Sequence, residues 1–203
     1  MSNLSNARAG LLAGILAAGM FAAACNSSPD NVKTADSANN SKIDSLTNKQ
    51  SVTDSSAGVP SKQDADFMVK ATSGSQLEVI LGQLAQSNAS SAAVKRFGAM
   101  MIRDHSDGEK QLRGLAASKR IILPDTISNE QKKEHDDLQK KTGHDFDRAY
   151  VKLMVSDHKE DISEFQKASQ NAHDADIKAL AAKLLPVLQE HLDSVQAIEK
   201  GNK

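Results

Sequence analysis

Four stretches of the chain repeat apolar or small residues at alternating steps of three and four, and no stretch alternates in twos as a half-buried strand would. The first, 64–87, carries Phe67, Ala71, Gly74, Glu78, Leu81 and Ala85 on one stripe. After Asn88-Ala89, Ser90 or Ser91 can cap a second helix with Val94, Phe97, Met101, His105, Gly108, Leu112 and Leu115 in line. The loop 120–128, holding Pro124, leads to a short helix, 129–141, that ends at Thr142-Gly143-His144. A third long helix, 145–170, aligns Asp147, Val151, Met154, His158, Asp161 and Phe165, flanked by Tyr150 and Ile162. Asp174 can cap the fourth, whose stripe is Ile177, Ala181, Leu184, Leu188, His191, Val195 and Ile198, with Gly201 just past its end. Stripes stepping by about 3.5 residues favour nearly aligned packing. The expectation is an all-α fold: an antiparallel four-helix bundle over 64–200, with one short extra helix. Pro186 withdraws a backbone donor inside the last helix, which predicts a local kink.

Each stripe is apolar or small at most positions and is interrupted by a group that could bind a metal: Glu78, His105, His158 and His191. Phasing turns all four toward the bundle axis. A buried carboxylate needs partners, and inside a bundle the partners at hand are the other three groups. Their heights are awkward, because Glu78 stands ~11 residues before the first turn and His105 ~16 after it, but an offset of about 7 Å along the axis is within reach of two long side chains meeting obliquely. Three imidazoles and a carboxylate suit one ion of Zn, Fe, Mn or Cu better than Mg or Ca. The competing reading is a metal-free polar core in which Glu78 accepts from the imidazoles. Met101-Ile102-Arg103-Asp104-His105 and Met154-Val155-Ser156-Asp157-His158 both read Met-x-x-Asp-His. Met101 and Met154 would bring thioethers suited to Cu(I), or simply fill the core, with each Asp on the rim. Tyr150, two turns before His158, could hydrogen-bond within the core. His135, His144 and His173 lie near helix breaks and read as solvated, and Lys132-Lys133 and Lys140-Lys141 as surface.

The N-terminus speaks to location. Arg8 precedes an uncharged run, 10–24, that closes with Phe21-Ala22-Ala23-Ala24-Cys25. A basic start, an apolar middle and small residues before a cut describe a secretory signal over 1–24. Cysteine right after the small residues points to its lipoprotein form, with lipidation at Cys25; the alternative is an ordinary signal and a chance cysteine. The run is too short for a comfortable span of ~20 residues. Segment 26–63 is rich in Ser, Asn, Thr, Asp and Lys, and reads as a disordered tether whose ~38 residues reach about 35 Å. Arg8 leaves with the leader, so 24 basic residues face 26 acidic ones. Near neutrality, with no Trp, one Tyr and five Phe, argues against a nucleic-acid binder. Cys25 is the single cysteine, which excludes a disulfide framework.

Asp66-Phe67 with Glu78, Phe97-Gly98-x-x-Met101 with Asp104-His105, Phe146-Asp147-x-x-Tyr150, Met154 with Asp157-His158, and Leu185-Pro186 with His191-Leu192 carry a resemblance. Over 64–199 the chain resembles the ferritin-like domain-of-unknown-function family of bacterial envelope proteins, whose members are often labelled outer membrane proteins. The resemblance implies a ferritin-like bundle and export from the cytoplasm, and it carries no catalytic residue. Ferritin-like di-iron enzymes use Glu-x-x-His pairs, whereas Ile102, Val155 and Leu188 stand three before the histidines here. A di-iron centre is therefore not expected, while a single-ion site stays open.

Three functions compete. One is a lipid-anchored envelope protein, of the outer membrane by the Asn26 that follows Cys25, whose bundle binds one transition-metal ion for storage, sensing or protection. Another is a non-enzymatic structural or interaction module that presents helix surfaces to an envelope protein partner. An enzyme has the least support: no nucleophile–base pair, Gly-rich phosphate loop or second cysteine is present.

Overall fold

The expected bundle forms, with one element more than the periodicity announced. The computed structural model describes residues 29–50 and 59–201. Its helices are α1 (Asn31–Gln50), α2 (Lys62–Asn88), α3 (Ala92–Lys119), α4 (Asn129–Gln139), α5 (Gly143–Asn171) and α6 (Ala175–Gly201). Cys25 and the leader lie outside the described residues.

Cross-helix contacts fix the topology. Gly82 abuts the carbonyl of Gly98, Phe67 meets Phe165 edge-on at 5.1 Å, and Lys183 Nζ donates to Gln111 Oε1 at 2.7 Å. Set beside the contacts Glu78–His105, Glu78–His158 and Asp104–His191, these show residue numbers running in opposite directions in each pair, so α2–α3, α2–α5 and α3–α6 are antiparallel neighbours. Hairpins α2–α3 and α5–α6 have short turns, while 120–142, with α4, carries the chain from one end of the bundle to the other. One long crossover between two hairpins is the ferritin-like arrangement.

Sequence-local caps set the helix ends. Ser61 accepts from Asp64 N, Ser91 accepts from Val94 N, and Ser128 and Gln131 form a reciprocal capping box on α4. Two further caps are tertiary. Buried Asp147 of α5 accepts from Ser90 N at 3.1 Å, from Ser91 N at 2.9 Å and from the Ser90 hydroxyl. Buried Asp64 of α2 accepts from His173 N at 3.0 Å and Asp174 N at 2.9 Å. Each hairpin thus lends a carboxylate to the turn of the other, satisfying orphan amides that would otherwise be costly. α6 continues through Pro186 and ends on Gly201 instead of one residue before it.

The disordered tether expected over 26–63 needs correction, since residues 31–50 of it form α1. Its buried positions are Ala35, Asn39 and Ile43, four apart, a stripe too thin to register as apolar. Hydrogen bonds do the remaining work. Asp30 caps its first turn through Val32 N, Asn39 Nδ2 donates to Ile122 O at 2.8 Å, and Asn39 Oδ1 accepts from Ile122 N at 2.8 Å. Lys42 Nζ donates to the carbonyl of Arg120 at 2.8 Å. A helix held by backbone partners 78 to 83 residues away leaves no local hydrophobic signature.

The core is cut in two. One apolar cluster gathers Leu81, Phe97, Met101, Phe146, Tyr150, Met154 and Val195; the other gathers Phe67, Ala71, Leu112, Phe165, Ile177 and Leu188. On the four long helices the boundary between them falls at or beside Glu78, His105, His158 and His191.

Candidate metal centre

At that boundary Glu78, His105, His158 and His191 are 1%, 5%, 0% and 1% exposed. The side chains span the axial offset expected from residue counting, since Glu78 Oε2 and His105 Nδ1 meet at 2.7 Å. A Cβ on Gly82 would stand 2.6 Å from the Gly98 carbonyl, and one on Gly98 would stand 2.8 Å from Ala85 Cβ. Only bare glycines allow α2 and α3 so close, and the small lateral gap leaves the two side chains enough reach to cover the difference in height.

The contacts inside the cluster are short. His105 Nδ1 lies 2.7 Å from Glu78 Oε2, and His158 Nε2 lies 3.4 Å from Glu78 Oε1. His158 Nε2 and His191 Nδ1 are 3.3 Å apart. One nitrogen from each of the three rings falls within 4.8 Å of the others. Yet neither Glu78 oxygen nor His105 Nε2 has an aligned hydrogen-bond partner among the described residues.

Outer contacts fix two tautomers. His158 Nδ1 faces the carbonyl of Met154 at 2.9 Å, and a carbonyl only accepts, so this nitrogen carries the proton. His191 Nε2 faces Asp104 Oδ2 at 3.0 Å, and the Arg103 guanidinium beside Asp104 holds that carboxyl below its usual range. The proton of His191 is therefore on Nε2. Burial pushes the His158 imidazole below its ordinary pKa against the pull of Glu78, and it pushes His191 down to about 4. Both rings are then neutral near pH 7. Burial also opposes the charge on Glu78, but the pull of the imidazoles, His105 foremost and His158 once the pH is low enough to protonate it, outweighs it and keeps the carboxyl below its usual range.

The consequence is electrostatic. His158 Nε2 and His191 Nδ1 confront each other with lone pairs, beside a carboxylate oxygen, in an apolar bundle. Three acceptors converging without a proton between them ask for a cation. Their spacings of 3.3 and 3.4 Å match the edge of a tetrahedron around an ion with ligands at 2.0–2.1 Å, about 3.3 Å. The three histidine nitrogens lie close enough together to hold a metal ion.

The secondary candidates take other places. Met101 and Met154 are fully buried in the apolar cluster, and what Met154 gives the site is its main-chain carbonyl. Tyr150 stacks on Phe146 at 5.5 Å, and its hydroxyl is buried without a hydrogen-bond partner among the described residues, so the core hydrogen bond expected of it is not made there. Burial pushes its pKa up. His144 and His173 are exposed, and His135 pairs with its neighbour Asp136 at 3.1 Å. The two rim aspartates part company. Asp104 stays at the rim but reaches His191, whereas Asp157 is half-buried, and burial with Glu78, Glu134 and Glu160 nearby pushes it up to about 8. Sequence reasoning missed Asp104 as a partner of the site, because nothing in 101–105 announces a contact 87 residues away.

Among the described residues no helix is long and apolar enough to cross a membrane. No curated protein matches the chain in sequence. Among solved structures, the fold is similar to a crystal structure of a DUF305 fragment from Deinococcus radiodurans, with a TM-score of 0.61 and 11% identity over 69% of this chain and 97% of that one. At that identity the likeness concerns the fold. Residues 47–198 match the domain-of-unknown-function family DUF4142, and the chain belongs to that family.

Proposed function

We propose that this protein is a lipid-anchored component of a bacterial cell envelope whose bundle holds one transition-metal ion through Glu78, His105, His158 and His191. The observation that carries the metal is the pair of facing lone pairs, His158 Nε2 and His191 Nδ1 at 3.3 Å, beside the Glu78 carboxylate. Zn, Fe, Mn and Cu all accept such a set. The bound ion would be secluded from solvent, which suits storage, sensing or protection better than turnover. Cys25 and the small residues before it support anchoring by lipid, and Asn26 after it supports the outer membrane.

The test is elemental analysis of the full chain after loading with each ion and desalting. About one ion per chain is expected, and none when His105, His158 and His191 are replaced together by Ala. Metal below a tenth of stoichiometry, or loading indifferent to the triple substitution, overturns the site. Loss of labelled fatty acid on Cys25→Ser tests the anchor.

A second reading has its own observation. His105 Nδ1 sits 2.7 Å from Glu78 Oε2, the distance of an ion pair, which a protonated His105 would form without metal. The bundle would then be a structural or interaction module with an envelope protein as partner. Crosslinking in intact cells that repeatedly recovers one protein, with no metal in the purified chain, would favour it.

A further inference from the structure

A neutral His191 carries one proton and two places to put it. On Nδ1 the proton is donated to His158 Nε2, 3.3 Å away, and the pair closes into a metal-free hydrogen-bonded core. On Nε2 it is donated to Asp104 Oδ2 at 3.0 Å, and Nδ1 keeps its lone pair for an ion. His158 has no such choice, because its own Nδ1 proton is committed to the Met154 carbonyl at 2.9 Å.

We propose, resting on the reading of the cluster as a metal site, that Asp104 is the positioning residue that selects between these states by holding His191 in the Nε2–H form. Its side chain is 21% exposed and lies outside the ligand set. Arg103 donates to it through Nε at 2.6 Å and Nη2 at 2.9 Å, which fixes its rotamer. A bond from imidazole to a carboxylate is about twice as strong as one to a second neutral imidazole. The carboxylate therefore wins the proton, and the site stays open to a cation. Carboxylates behind metal-binding histidines set tautomer and ring orientation in this way, and their loss weakens affinity about 10–100-fold. The arrangement is particular to one half of the bundle, since Asp157, one position before His158, has its Oδ2 buried without a hydrogen-bond partner.

The experiment uses the full chain in detergent, with ¹⁵N-labelled histidine, at neutral pH. Long-range ¹H–¹⁵N correlation of the metal-free protein reads the tautomer, and titration with Co(II) reads affinity and visible spectrum. Wild type should show His191 as Nε2–H and bind one Co(II). Asp104→Ala should move the proton to Nδ1, weaken Co(II) about 10–100-fold and change the spectrum, without the loss of helix that a merely structural role would bring. Asp104→Asn keeps an acceptor without the charge; it should fall between the two, and it carries the same test if the alanine variant does not fold. An unchanged tautomer together with Co(II) affinity within about twofold of wild type in these variants overturns the role of Asp104 alone. No Co(II) uptake by wild type overturns the metal reading itself, and with it the selection role.

Discussion

Two five-residue segments with the same pattern, Met101–His105 on α3 and Met154–His158 on α5, do different work. Both present methionine to the apolar cluster and histidine to the polar layer. In the first, His105 turns Nδ1 to Glu78, and Asp104 is an anion at the rim that grips His191 on another helix. In the second, His158 turns Nδ1 to its own helix, and Asp157 is drawn into a group of acids where burial favours its protonated form. A side chain's role is set by what the neighbouring helix offers it. Arg103 beside one aspartate and Glu78, Glu134 and Glu160 near the other decide which keeps its charge.

The largest expected effect separates the two histidines. His158 stands between Glu78 and His191, so His158→Ala should abolish metal retention and leave Glu78 buried with one fewer partner, at a loss of about 3 kcal/mol. His105→Ala keeps the His158–His191 contact and should cost about half as much. Urea unfolding and metal content check both; equal losses would show that the segments are interchangeable.

Next comes Gly98→Ala, which acts on the first segment alone by pushing α3 off α2. A new Cβ 2.8 Å from Ala85 Cβ should cost about 1–3 kcal/mol and weaken metal binding through His105. Stability equal to wild type would mean that the close approach is dispensable.

A smaller effect concerns pH. Asp157 has its folded pKa raised to about 8, so the native state binds more protons than the unfolded state from about pH 4 to 8. Its contribution to stability is complete below that window and is lost as pH rises through 8. His191, lowered to about 4, has the opposite sign, but it acts only below about pH 6.5. Metal-free protein should therefore lose stability between pH 6.5 and 8.5, by less than about 1 kcal/mol per pH unit given the partial exposure of Asp157. Asp157→Asn should flatten that slope, leaving what Asp161, also raised by burial, contributes. Asp104→Asn should not change it. A flat wild-type profile in denaturant titrations would count against the buried-acid assignment.

The smallest effect is at Arg103, which is exposed. Arg103→Ala should leave the melting temperature unchanged and weaken Co(II) binding only a few-fold, because Asp104 then adopts more rotamers. A loss as large as that of Asp104→Ala would make the arginine, and not the carboxylate, the element that distinguishes the first segment.

The long helices were legible because each is a stripe, and a stripe is a local property. Phe67 through Ala85 or Ile177 through Ile198 declare their buried faces without reference to anything else. α1 was illegible for the converse reason: Asn39 is buried because Ile122 offers it a donor and an acceptor, and no local pattern reports that. The candidate site was half legible. Phasing turned Glu78 and the three histidines inward, and residue counting put an axial offset of about 7 Å within reach of two long side chains, but it could not foresee how closely Gly82 and Gly98 let α2 and α3 lie side by side. Met101 and Met154, equally well phased, and Tyr150, which flanks its stripe, belong to apolar packing.

The sequence by itself determined four amphipathic helices, their order and the inward face of each, because hydrophobic periodicity is written residue by residue. Only the tertiary structure decided that four polar residues meet at one level, which ring nitrogen each histidine turns inward, and that one aspartate of a matched pair stays charged while the other does not. Those outcomes depend on hydrogen bonds and charges between helices far apart in the chain, and a proton goes to whichever acceptor folding places beside it.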